Sequence, residues 1–188
     1  MFNNNWYNAL LAVEKNSSSS IAKCDFVAYD GTALSNIQVV SSVSSSSYDI
    51  LQLFLDGNSN AHSPNIKFLS NGSLMFYGNS SNANTVRGVL LGDGDIPPSL
   101  TDYCLSGNMI TDFTATTAVA TSYSNGKIIG TATYNVINTG ASPFTVKEIA
   151  NTFARSSTRI MIARSLLEIP VTIQPGDTGV IIYRVEIS

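Results

Sequence analysis

The run from Leu166 to Ile187 (Leu-Leu-Glu-Ile-Pro-Val-Thr-Ile-Gln-Pro-Gly-Asp-Thr-Gly-Val-Ile-Ile-Tyr-Arg-Val-Glu-Ile) constrains the fold more than any other stretch. From Ile181 onward, Ile181, Tyr183, Val185 and Ile187 fall on one side of an extended chain, with Ile182, Arg184 and Glu186 on the other. That period of two is the mark of a half-buried strand, because successive Cβ atoms point to opposite faces. Pro175-Gly176 reads as a turn with a strand on either side of it. The run therefore belongs to a sheet.

The same grammar extends upstream. Asn71-Gly72 and Asn125-Gly126 each supply the two positive φ angles of a type I′ turn, which predicts hairpins over 65–77 and over 109–137. Phe144–Phe153 and Arg159–Ala163, separated by the polar Arg155-Ser-Ser-Thr158, predict a third hairpin. Ile21–Tyr29, closed by Asp30-Gly31, Ile37–Val43, the apolar Tyr48–Leu55 and Val86–Leu91 are further strand candidates. Pro97-Pro98 forbids a ladder and forces an irregular crossing, followed by one helical turn with Ser99 as cap and Asp102 at its third position. At the other end, Trp6, Leu10 and Val13, flanked by Tyr7 and Leu11, recur at helical spacing after Asn3-Asn4-Asn5, which predicts a helix within Met1–Lys15. Its apolar stripe either packs on the chain's own sheet or docks on another subunit, so Trp6, Tyr7, Leu10 and Val13 are the candidate interface. The Ser17–Ser20 run reads as a flexible connection.

These elements predict a mainly β protein: an antiparallel β-sandwich, immunoglobulin-like or jelly-roll-like, with a short N-terminal helix. Residues 1–16 form the helix or anchor, 21–98 a β-rich N-terminal part and 99–188 the sandwich, or 21–188 form one continuous domain. The 188 residues suffice for either arrangement.

Charge narrows the partners. Only 12% of residues are charged and the net charge is -3, so no basic patch is available to neutralise phosphates or anionic lipid; neither nucleic acid nor membrane is an expected partner. No stretch approaches the ~18 apolar residues of a membrane span, and no signal sequence is recognisable, which implies synthesis in the cytoplasm.

Chemistry-bearing residues are sparse. His62 lies in a loop composition without a second His or a Gly-x-Ser-x-Gly elbow, and reads as an ordinary loop histidine rather than part of a triad. Asp93 and Asp95 have the alternate spacing of a cation loop, but the rest of an EF-hand pattern is missing; capping of turn amides is the plainer reading for them and for Asp102. Glu148 and Glu168 are formally a carboxylate pair for glycoside cleavage, with nothing to bring them together. Cys24 and Cys104 fit no metal spacing and read as buried thiols, a disulfide between them being the alternative. No cofactor and no enzymatic activity are expected.

The stretch Val89-Leu-Leu-Gly-Asp-Gly-Asp-Ile-Pro-Pro-Ser-Leu-Thr-Asp-Tyr-Cys-Leu105 resembles a linker found in a diverse set of small structural proteins of tailed bacteriophages. Strands like Gly130–Asn138, the Val146-Lys-Glu-Ile149 element and the finish from Ile169 to Gly176 follow in the same order, and the Asn4–Tyr7 opening is similar too. The resemblance implies a virion component made in the host bacterial cytoplasm: a β-sandwich in the tail, neck or head-attached appendages. It would be a homo-oligomer that contacts other virion proteins. The alternatives are a capsid decoration protein or a receptor- or carbohydrate-binding module, with 58–64 and 79–85 as loops touching a host surface glycan.

Overall fold

The computed structural model describes residues 1–8, 22–40, 66–67, 88–125, 127–155 and 158–187. The protein is mainly β, with antiparallel sheets and one short helix, α1, of which residues 4–8 are described. The described strands are β1 (Ala22–Val27), β2 (Ala33–Val40), β3 (Ile66–Lys67), β4 (Gly88–Gly92), β5 (Met109–Ile110), β6 (Phe113–Ser124), β7 (Lys127–Asn138), β8 (Phe144–Arg155), β9 (Thr158–Ile173) and β10 (Thr178–Ile187). They form one sheet in the order β10-β7-β6, another in the order β5-β4-β8-β9, and a small sheet β1-β2-β3 in which β2 and β3 run parallel. Because β4 pairs with β8, the second sheet continues across residue 99. Most of the hairpin expected over 65–77, the 48–55 segment, Leu10, Val13, the serine connection and His62 lie outside the described residues.

Two expected hairpins are present. Ser124 pairs with Lys127 and Asn125 adopts φ 52°, the left-handed conformation that a two-residue turn requires. Arg155 pairs with Thr158 at the other. The Pro175-Gly176 turn does something different from joining neighbours: β9 pairs with β8, whereas β10 pairs with β7, so this turn carries the chain from one sheet to the other. Gly176 makes the corner at φ 80°, where a Cβ would be strained. Buried Asn138, the last residue of β7, pins both crossings. Its Nδ2 donates to the carbonyls of Ser142 and Ile173, each at 2.9 Å, and its carbonyl accepts from Gly176 N at 2.9 Å.

β9 is also longer than its period suggests, because it absorbs two irregularities. Ile162 is an extra residue between the Thr152–Met161 and Asn151–Ala163 pairs. Residues 167–170 stand opposite the single Lys147 between Glu148–Leu166 and Val146–Val171, three more than a regular ladder holds, and Pro170, which has no amide to offer a ladder, sits in that bulge. The first irregularity turns Arg164 onto the face of Ala150 and Leu90 instead of the face of Val89.

The four-stranded sheet is consequently buried on both sides. One face contributes Val89, Leu91, Val146, Ile149, Ile160 and Ile162 to a cluster that includes Ala132, Tyr134, Val136, Ile181 and Tyr183 of the other sheet. Two antiparallel sheets closing on one apolar cluster is the arrangement a sandwich requires. The opposite face carries Leu90, Ala150 and Met161 with Leu105, under the 93–108 segment. Burial pushes the Tyr134 hydroxyl well above its ordinary pKa, and that of Tyr183 up as well. A raised phenol stabilises the fold fully below the unfolded value near 10, and this contribution is lost as pH climbs from there. Thermal melts from pH 8 to 11.5 should therefore show a falling Tm above about pH 10, with a shallower fall for Tyr134→Phe. Identical slopes would show that Tyr134 ionises freely in the folded chain.

Candidate functional site

The N-terminal residues are tied to the body by amide side chains acting as strand partners. Residues 1–3 are extended ahead of the helix, which begins at residue 4 inside the Asn3–Asn5 stretch read as its cap, because the edge of β9 offers them unpaired backbone groups. Asn3 N donates to Ile162 O and Arg164 N to Met1 O, each at 2.9 Å, while Phe2 bridges Ala163. Asn3 then caps α1 through its carbonyl and Oδ1, which accept from Trp6 N. Its Nδ2 reaches Asp102 O at 2.7 Å and Met161 O at 2.9 Å. Asn5 accepts from Val27 N and donates to Val27 O, both at 2.8 Å, so it pairs with β1 as a backbone unit would. Both asparagines are buried, and an unpaired amide there would be costly, so this opening is fixed in place.

Beneath it lies a fully engaged ionic cluster. Arg164 is buried, and all five of its N–H donors are spoken for. Nε and Nη2 grip Asp102 Oδ2 at 2.9 and 2.6 Å, Nη1 reaches Glu148 Oε2 at 2.8 Å and Ile96 O at 2.9 Å, and Nη2 also reaches Pro97 O at 3.2 Å. Glu148 is completely buried. Its Oε1 accepts from the amides of Gly94 at 3.2 Å and Gly107 at 2.9 Å; its Oε2 accepts from the amide and hydroxyl of Ser106, both at 3.1 Å. Three convergent backbone amides form a concavity that suits an anion, and here the anion is a side chain of the same protein. Gly94 has to be glycine because a Cβ would run into Ser106 Oγ, Glu148 Oε1 and the Gly107 amide.

The geometry decides what these groups can do. A general acid or base needs a lone pair or proton within reach of a substrate, but the Glu148 oxygens are saturated and enclosed. Glu168, its formal partner from sequence, is exposed on the β9 bulge. Asp93 caps Asn108, accepting from its amide at 2.7 Å and its Nδ2 at 3.2 Å, and these bonds lower its pKa. Asp95 meets Lys147 at 3.5 Å on the surface. Asp102 accepts from Ser99 N at 2.7 Å, closing one turn at residues 100–101 where a helical turn is expected. Among the described residues no three His, Cys, Asp or Glu side chains are grouped to hold a metal. Cys104 is a free thiol, which excludes it from a disulfide, and burial followed by the Asp102 carboxylate raises its pKa.

Of the candidate interface, Trp6 is only 6% exposed and stacks on Phe2 at 5.0 Å within the chain's own core, so it is not presented to a partner. Tyr7 is exposed. Accessible apolar side chains lie on the linker, with Ile96 (60% exposed) and Leu100 among them, and on the strands, with Val180 (53%) and Ile182 (67%) on β10 and Ile169 (76%) on the β9 bulge. Between β9 and β10 runs an open groove of about 570 Å³, lined by Ser165, Leu167, Ile169, Val180, Ile182 and Arg184 among others. Sequence reasoning did not single out Arg164, Asn3 or Asn5 as site residues. Arg164 carried one signal, a lone charge after the apolar Ile160-Met-Ile-Ala163. The loops assigned to glycan contact lie outside the described residues.

Comparison with known protein families, with curated proteins and with solved structures gave no match for this chain.

Proposed function

We propose that this chain is a bacteriophage virion structural protein, in the tail, neck, head-attached appendage or capsid surface, that acts through protein–protein contacts. The observation that carries this reading is the exposed apolar surface of β10 and the β9 bulge, where Ile182 and Ile169 are more than half accessible to water. Adjacent exposed apolar side chains on a folded domain mark a surface that a partner covers. The resemblance supports the reading from the other side. Its opening, its linker and its Val-Lys-Glu-Ile element meet at Asn3, Asp102 and Glu148, so they act as one internal brace that frees the outer sheet for contacts.

The test is mass spectrometry of gradient-purified particles from infected host cells. The chain is expected in the particle fraction at a stoichiometric level and resistant to high-salt washing. Recovery only in the soluble lysate would sink the proposal.

A further inference from the structure

We infer that the outer face of the β10-β7-β6 sheet is the surface through which two copies of this chain associate, an inference that deepens the assembly reading and rests on it. The face is defined by register. Thr116, Asn135 and Val180 stand in one row across the three strands, and Ala118, Thr133 and Ile182 in the next. These positions alternate with the buried Tyr134, Ala132, Ile181 and Tyr183 on the inner side, so they point outward. Ile137 and Val180 are 38% and 53% exposed, and Ile182 is 67% exposed.

Three properties favour a second copy as the occupant. The first is charge. Across the four rows from Thr114, Ile137 and Thr178 to Ala120, Thr131 and Arg184, Arg184 is the one charged outward residue. A face so nearly free of charge can meet an identical face with little like-charge repulsion. The second is shape. Two copies of one sheet have the same twist, so they can stack with aligned strands about 10 Å apart, and rows of Thr, Val and Ile on one copy fit between rows on the other. An interface of this kind is isologous and closes at two copies. The third is size. The four rows span about seven residues on each strand, roughly 24 Å by 14 Å, or about 330 Å² per copy. Two such faces bury on the order of 700 Å², the size of a weak, transient association rather than a permanent one. The pairing is therefore expected to be reversible, in the range of tens to hundreds of micromolar.

Sedimentation velocity across a micromolar concentration series tests this. The wild-type chain should show a concentration-dependent dimer, and Ile182→Lys should weaken its dissociation constant at least about tenfold, since the lysine would bring a charge into the contact. Thr116→Lys, on the far strand of the same face, should do the same and decides the matter if the first variant fails to fold by circular dichroism. Ile96→Lys, on the exposed linker, should leave association unchanged. A monomeric wild type at every concentration would overturn the inference, as would face variants that associate like the wild type. A monomer that is still found in purified particles would remove this interface while leaving the virion assignment standing. A dimer lost on Ile182→Lys but absent from particles would do the reverse.

Discussion

Replacing Arg164 by Ala is expected to lower the unfolding free energy by about 3–5 kcal/mol, the cost of breaking a buried ion pair from one side. The loss arises less from the attraction removed than from what stays behind. Glu148 would remain enclosed without its cationic partner, the carbonyls of Ile96 and Pro97 would lose their donor, and Asp102 would keep its bond from Ser99 N. The double variant Arg164→Met with Glu148→Leu separates this cluster from an ordinary buried pair. Swapping a buried pair for apolar side chains is often neutral or stabilising, because desolvation of both charges is avoided. Here Glu148 also serves the amides of Gly94, Ser106 and Gly107. Orphaning the buried Gly94 amide costs about 1–3 kcal/mol, and the part-buried Ser106 and Gly107 amides add to it, so the saving is offset. The double variant should be no more stable than Arg164→Ala. Urea unfolding of Arg164→Met, Glu148→Leu and the double variant closes the cycle. A double variant as stable as the wild type would mean that the 93–108 segment is held by its apolar contacts and not by Glu148.

The sequence makes the strands legible and the junctions much less so. Period two in Ile181–Ile187 and the Asn125-Gly126 turn are local signals, each set by the pleat or by a φ requirement, and both are realised in the fold. The Pro175-Gly176 turn shows where locality ends. Its chemistry fixes a corner at Gly176, yet whether the corner joins neighbouring strands or crosses between sheets depends on Asn138, 38 residues upstream of Gly176. The same holds for Glu148 and Arg164: sequence gives a carboxylate between two strand residues and a cation after an apolar run, but their meeting depends on the extra residue at Ile162, which shifts the face that Arg164 occupies. Bulges leave no periodic trace, since they interrupt the period that would reveal them. The opening residues differ for another reason. Asn-rich stretches suggest caps, and Asn3 does cap α1, but amides that stand in for backbone in a neighbouring strand cannot be told from capping amides by composition.

Trp6→Ala separates the two roles that its position in the apolar stripe allows. Trp6 is buried beside Phe2 and belongs to the cluster that includes Phe26 of β1, so truncation removes a large side chain from a packed site and leaves a void. Such changes cost about 3–5 kcal/mol, a large share of the 5–15 kcal/mol that a domain commonly has. The isolated chain should therefore unfold at clearly lower urea, while at temperatures where it stays folded its self-association should match the wild type. Tyr7→Ala, one residue on and exposed, should change stability by no more than about 0.5 kcal/mol. The opposite pattern, with Trp6→Ala stable alone but unable to associate, would mean that the helix leaves its cradle to grip a neighbour. The burial of Trp6, with Asn3 and Asn5 satisfied on either side of it, argues for the first pattern: lifting the helix would strand two buried amides as well as the indole. The contact surface then falls to the outer sheet, whose side chains can be covered without unmaking anything inside.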